Sequence, residues 1–391
     1  MTFFEMIAKL GIESYPDTLP EIFAREGGSL DVSPEALSAL DKEHNVCGER
    51  LPELIACAAE VAKDDTLLEY TRCAVAYLRV ANHHEGGRLR LPALDENTPL
   101  YHYPTMLLAF AMPAGIKSYR DRGFPEEEVQ GAINAFRARI NVKDSKTGKA
   151  GNGAYNWLRH YTAALLFGAG LFSVTPRVID APIIILKNEK KEYKIIVTGG
   201  RYHKSGKPLG NACCKDEEGS FTAEFSEDEE FYTAHEVINS SVSSEVSRLA
   251  KSEWNPVAKT GDWMVALHIP RGADLSHESM TRGFHDAMDK TKRLYPDLAP
   301  KLVHCSTWLL SPKLAELQGE GSGIARFSGR FIKYPIGSGG KELFGFAFPS
   351  CPDNYEDLPE DTSLRRKLKA LYLSGGCIHA HAGFIPESDE W

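Results

Sequence analysis

Gly261–Leu310 reads GDWMVALHIPRGADLSHESMTRGFHDAMDKTKRLYPDLAPKLVHCSTWLL. Its pattern is strand, polar loop, helix, strand. Trp263 to Ile269 is an apolar run broken only by His268, which predicts a strand covered on both faces. Pro270 and Gly272 end that run. Ser276 is placed to cap a helix, and Glu278 falls in its first turn, where the helix dipole favours a negative charge. Met280, Phe284, Ala287, Met288, Leu294 and Tyr295 recur at helical spacing, giving one apolar face, and Pro296 stops the helix. Leu302–Leu310 reads as a second strand. Two strands joined by a helix are expected to be parallel, and ligands of such sheets gather beyond the carboxyl ends of the strands. That end carries His268, Arg271, Gly272 and Ser276.

A chain of 391 residues suits about two domains. Its 42% hydrophobic and 25% charged residues are those of a globular protein with a core, not of a disordered chain. The net charge of -9 argues against nucleic acid or an anionic membrane surface as the main partner. No apolar run reaches the roughly 18 residues of a membrane span. The opening MTFFEMIAKLGIESYPDTLPE lacks the basic and apolar regions of a signal peptide. The eight cysteines show no CxxC spacing, which fits reduced thiols. Together these features predict a cytoplasmic protein.

The chain divides by composition. Residues 1–164 read as helical and 165–391 as strands mixed with helices. In the first part, Ser33-Pro34-Glu35-Ala36 is a cap followed by a first-turn proline. Leu51–Ala62, Leu67–Ala81 and the stretch from Pro125 to about Ile140 follow helical patterns, and Lys143–Gly153 reads as a surface loop. In the second part, Ala181–Leu186 and Tyr193–Thr198 are strand-like, Ser220–Phe225 alternates, and Val237–Leu249 is mixed and polar. A short helix is expected at Pro312–Leu317, strands near Ile324–Tyr334 and at Leu343–Phe348, and a helix at Thr362–Leu373 ended by Gly375-Gly376. The expected fold class is therefore α+β or α/β, a helical N-terminal domain followed by a mixed-sheet α/β domain.

Several of these residues match a known pattern. They are Trp254, Gly261-Asp262, LHIPRGADLSHES at Leu267–Ser279, CSTWLLSPKL at Cys305–Leu314, Gly323-Ile324, Arg326-Phe327, LPEDTSLRRKL at Leu358–Leu368, and Gly375-Gly376. The chain resembles a bacterial acyltransferase family with a helical N-terminal domain and a GNAT-like C-terminal domain, GNAT being the N-acetyltransferase superfamily. The resemblance runs from about Glu253 to Gly383 and is weaker over Tyr103–Trp157. It implies a core of strand, helix, strand, helix and a final strand pair. It also implies that acyl-CoA lies where the first two strands splay, with its pyrophosphate on the loop that opens the helix. Acyl-CoA is then the co-substrate, and a small-molecule or peptide amine is the acceptor. The sequence departs from the family in that loop. The usual Q/R-x-x-G-x-G/A becomes Arg271-Gly272-Ala273-Asp274-Leu275-Ser276, with one glycine and an aspartate where an anion would sit. It also lacks the family's arginine in Phe167–Phe172.

Acyl transfer to an amine needs a base for the nucleophile and a donor for the oxyanion or leaving thiolate. His268, at the end of the first strand, is the expected base, against the plainer reading of a buried histidine bonded to a carbonyl. Ser306 is the expected donor, sharing a strand face with His304 and Trp308, against simple packing. Glu278 is a third candidate, against a favourable first-turn charge. Arg271, Gly272 and Ser276 are expected to hold the pyrophosphate. Cys305 points away from His304 and reads as a core residue. Cys377, His379 and His381 share one face if extended and are ligand types for zinc or copper, against a tail strand packed on the core. No metal is expected. The alternative function is a GNAT-like binding or interaction module that has lost CoA binding.

Overall fold

The structure, a computed structural model, describes residues 1–26, 29–80, 87–143, 155–270, 272–319, 321–348, 351–352 and 354–386. It divides into two units, Met1–Gly168 and Ala169–Trp391.

Local signals set the helices of the first unit. They are α1 (Phe3–Lys9), α2 (Leu19–Glu26), α3 (Pro34–His44), α4 (Leu51–Val61), α5 (Asp65–Val80), α6 (Tyr103–Asp121), α7 (Glu126–Ile140) and α8 (Tyr155–Thr162). Thr2 and Glu5 form a reciprocal capping box on α1, and Ser33 caps α3 ahead of Pro34. Helix α6 is buried on nearly every side from Tyr103 to Met112, which marks it as the central helix. It meets α8 closely at Gly115, where a Cβ would lie 2.5 Å from the Tyr161 carbonyl oxygen. Among the described residues no helix is long and apolar enough to cross a membrane.

The second unit begins with β1 (Phe167–Ala169), which spans the division, and β2 (Phe172–Val178). The chain then leaves on an excursion of eight strands. These are β3 (Ile183–Lys187), β4 (Tyr193–Val197), β5 (Arg201–Tyr202), β6 (Phe221–Thr222), β7 (Phe225–Glu227), β8 (Phe231–Ile238), β9 (Ser241–Ala250) and β10 (Asn255–Lys259). It returns as β11 (Trp263–His268), α9 (His277–Leu294), β12 (Leu302–Thr307), α10 (Pro312–Gln318), α11 (Gly323–Gly329), β13 (Ile332–Pro335), α12 (Phe344–Ala347), α13 (Ser363–Leu373) and β14 (His381–Pro386). The excursion starts and ends at one place: Ile179 N–H donates to Asp262 O and Gly261 N–H donates to Ile179 O, both at 2.9 Å.

Two larger sheets result. The first has the order β1-β2-β11-β12-β14-β13, with β11 and β12 parallel and the β2–β11, β12–β14 and β13–β14 pairs antiparallel. The second runs β10-β3-β4-β8-β7, with β9 also on β8, all antiparallel. Residues paired across a ladder share a face. One face of the first sheet carries Met264, Leu302, Tyr334, Ala382 and Phe384, and it packs on Ile183, Ile185, Ile195, Val197 and Ala258 of the second. The other face carries Phe172, whose ring stacks on Phe284 of α9 at 5.6 Å.

The helix–strand unit read from Gly261–Leu310 is present, with Ser276 accepting from Ser279 N as the cap of α9. Three readings change. The second strand ends at Thr307, whose hydroxyl accepts from Leu309 N and starts a turn of 3-10 helix at Trp308–Leu310. Ile324–Tyr334 is not one strand. Ser322 caps a helix at Ala325 N, and β13 begins at Ile332. Leu343–Phe348 is helical at Phe344–Ala347, so β13 pairs with β14 instead. The polar stretch Val237–Leu249 belongs to a hairpin, β8–β9, turned at Asn239 and Ser240 with φ of 50° and 64°.

Candidate active site

The first sheet parts in its middle. The shared register of β11 and β12 has two pairs, Val265 with Val303 and Ala266 with His304. Both strands continue beyond it. His268 still pairs with Ser173 of β2, and Thr307 still pairs with His381 of β14. Leu267–His268 and Cys305–Thr307 thus keep a strand partner on their outer sides, and among the described residues no ladder pair joins them to each other.

Register also places the side chains around this gap. Thr175, Ala266, His304, Phe384 and Ile332 form one row across the sheet. Two residues further on, the same face carries Ser173 and His268 on one side of the gap, and Ser306, Ala382 and Tyr334 on the other. His268 is half-buried and Ser306 is exposed. His268 Nε2 is hydrogen-bonded to Thr175 Oγ1 at 2.9 Å, which orients the ring.

Below them, His304 Nε2 is bonded to the Tyr334 hydroxyl at 3.1 Å, while His304 Nδ1 is buried without a partner among the described residues. Burial, then the charges of Arg177 and His268, push His304 down to about 3. Burial likewise lowers His381 to about 4. Burial raises the Tyr334 phenol. Both histidines are therefore neutral in the fold and accept a proton more readily once unfolded. Stability should be complete above the ordinary value of 6.5 and fall as pH drops from there toward about 3. Melting temperature against pH checks this. His304→Gln should flatten the slope between pH 6.5 and about 4, and an unchanged slope would show that His304 is not its source.

The loop before α9 is occupied by its own carboxylate. Asp274 accepts from Ser276 N at 3.0 Å, from Ser276 Oγ at 2.9 Å and from Ser279 Oγ at 2.5 Å. The Ser279 hydroxyl and then the Ser276 amide and hydroxyl hold its carboxyl below the usual range. Gly272 has φ +78°, and a Cβ there would meet open space. Arg271 lies outside the described residues. Glu278 pairs with Arg282 at 2.9 Å on the exposed face of α9, so its carboxylate is turned along the helix. Cys305 is buried on the opposite face, its thiol on Leu267 O at 3.7 Å and pushed up to about 12 by burial.

The His–Cys tail is tied to backbone. His379 Nε2 donates to Ala212 O at 2.6 Å and lies 3.3 Å from Cys377 Sγ, while His381 Nδ1 faces His379 O at 3.2 Å. Among the described residues no group of three or more His, Cys, Asp or Glu side chains is arranged to hold a metal ion.

Residues 203–385 match the family model of the GNAT-like C-terminal domain. The chain carries a GNAT-like C-terminal domain. Solved structures agree in fold over the whole length. An acyltransferase mutant in complex with octanoyl-CoA has a TM-score of 0.62 at 15% identity, covering 99% of this chain and 100% of that one. An acyltransferase in complex with decanoyl-CoA gives 0.61 at 15% identity, covering 99% and 100%. An acyltransferase in complex with decanoyl-CoA and teicoplanin gives 0.60 at 15% identity, covering 99% of each. No curated protein matches the sequence. The match to the GNAT-like domain starts 50 residues before the Glu253 at which the sequence resemblance begins, and so takes in the β8–β9 hairpin. Thr175 and Tyr334 of the site were not foreseen. They reach it from β2 and β13, and strand pairing alone brings them there.

Proposed function

We propose that the chain is an acyl-CoA-dependent acyltransferase acting on an amine, with acyl-CoA entering between β11 and β12. The observation that carries this is the parting of the two strands with His268 and Ser306 facing each other across it. Unpaired inner strand edges offer the amide groups of a pantetheine arm hydrogen-bonding partners of their own kind. The acyltransferases of like fold that hold octanoyl-CoA and decanoyl-CoA support the donor, and the one with teicoplanin supports a small-molecule acceptor. His268 takes the proton from the attacking amine, whose nitrogen bonds the thioester carbon. Ser306 donates a hydrogen bond as the C–S bond breaks and the CoA thiolate leaves. The transfer is direct, because Cys305 faces the other side with a protonated thiol. Arg271, Gly272, Ser276 and the first-turn amides of α9 hold the pyrophosphate. Glu278 acts at a distance, as a first-turn charge.

Asp274 favours a second reading, a binding module without acyl-CoA, because its carboxylate sits where the pyrophosphate is placed. One measurement separates the two. At one hundred times its dissociation constant, acyl-CoA should stabilise the fold by about 2.7 kcal/mol, a rise of several degrees in melting temperature. Asp274→Asn should enlarge the shift by removing a like charge. No shift with acetyl-, octanoyl- or decanoyl-CoA, in either protein, would leave the binding module as the better account.

A further inference from the structure

Two cysteines far apart in the chain meet on one side of the GNAT-like domain. Cys213 lies exposed in the loop after β5, and Cys377 lies half-buried in the segment that leads into β14. Their contacts are reciprocal. The Cys213 thiol donates to Gly375 O at 3.3 Å, two residues before Cys377. The Cys377 thiol donates to Ala212 O at 3.8 Å, one residue before Cys213. Both arms are anchored on one residue: Ala212 N–H donates to Ser338 O at 3.1 Å, and Ala380 N–H donates to Ser338 Oγ at 2.9 Å. Asn211 adds a clamp, donating to Ile336 O and accepting from Ser338 N, both at 2.9 Å.

This arrangement does not make a Cys–His nucleophile. Ala212 O can only accept, so His379 Nε2 carries the proton and cannot take one from Cys377. Burial first, and then a hydrogen bond to Cys213, push the Cys377 thiol up to about 12. Of the two, the exposed Cys213 is therefore the thiol that an oxidant meets first. Its chain neighbour Cys214 is not a suitable partner, because adjacent Cα atoms lie about 3.8 Å apart, short of the roughly 4.4 Å that disulfides need.

We propose that Cys213 and Cys377 are a modification site, forming a reversible disulfide under mild oxidation by a peroxide. The Cys213 sulfur attacks one peroxide oxygen, the O–O bond breaks, and Cys213 becomes a sulfenic acid with loss of water. The Cys377 sulfur then attacks the Cys213 sulfur, the S–O bond breaks, and a second water leaves. Two thiols and one peroxide give one disulfide and two waters, and a dithiol reductant reverses the change by exchange. The bond ties the 210–214 loop to the segment that leads into β14, the strand that borders β12. It stands independently of the acyl-transfer reading.

The full chain is treated with about one equivalent of hydrogen peroxide, and its thiols are titrated in denaturant. The eight thiols present should fall to six, and dithiothreitol should restore them. Digestion without reductant should yield one cross-linked pair holding Cys213 and Cys377. The oxidised protein should melt several degrees higher, because a long loop is closed. Cys213→Ser, an exposed change that leaves the fold intact, should keep its remaining thiols through the same treatment. The proposal is overturned if the cross-link joins other cysteines, if Cys213→Ser loses two thiols, or if Cys213 oxidises while Cys377 stays reduced.

Discussion

His268→Ala should slow acyl transfer by about 10²- to 10⁴-fold while acyl-CoA still binds. The expectation follows from position. His268 closes β11 at the point where β12 has separated from it, and Thr175 Oγ1 fixes its ring at 2.9 Å. No second basic side chain shares that row of the face, since Ser173, Ser306, Ala382 and Tyr334 fill it. Glu278 is drawn to Arg282, and His304 stays neutral in the sheet. The alanine variant removes a proton acceptor and leaves the backbone of the gap as it was. Single-turnover rates at saturating acyl-CoA, with the melting shift measured beside them, separate chemistry from binding. Thr175→Val should give a smaller loss, through a ring that is no longer oriented. A His268→Ala protein with near-native turnover would remove histidine base catalysis, and one that no longer binds acyl-CoA would make His268 a binding residue.

Phe284→Ala should destabilise the GNAT-like domain by about 3–5 kcal/mol, the usual cost of emptying an aromatic site in a core. Phe284 is wholly buried at the centre of the apolar face of α9. Its ring stacks on Phe172 at 5.6 Å, meets Phe331 edge-on at 5.9 Å, and lies under the Arg330 guanidinium at 5.3 Å. The neighbours have little freedom to close the space. Gly283 already lies so near Phe172 that a Cβ would come within 2.7 Å of its ring. Denaturant unfolding of the full chain reads the change, with the exposed Asp289→Ala as a control expected within about 0.5 kcal/mol. A loss under about 1 kcal/mol would mean that α9 does not form the core of this domain.

The legible part of the fold was the part written locally. Trp263–His268 is apolar enough to read as a covered strand, and Ser276 with the apolar face from Met280 to Leu294 marks a helix. The β8–β9 hairpin was not legible, because Ser244, Glu245 and Val246 are all exposed, which breaks the strand alternation, and its turn, Asn239-Ser240, has no glycine. Ile324, Phe327, Phe331, Ile332 and Tyr334 have strand propensity, yet a serine cap and burial of Phe327 make the first half a helix. Propensity yielded there to packing. His268 and Ser306 could be named from strand ends alone. The gap between them was expected only through the family resemblance, because it depends on where a ladder stops. Nor could Asp274 be seen to bind Ser276 and Ser279 rather than stand open to solvent.

The excursion from β2 to β11 leaves the sheet at Ile179 and rejoins it at Gly261 and Asp262, one hydrogen bond away. In polymer terms, the pairing of β2 with β11 has already brought the ends of that long loop together. The entropy of closing it rises only slowly with length, by about 0.6 kcal/mol per doubling. Strands added to or lost from the covering sheet therefore change the size of a side branch and leave the register beneath it alone. The domain is a sheet with a replaceable roof, and the proposed acid–base pair, His268 and Ser306, belongs to the strands beneath it.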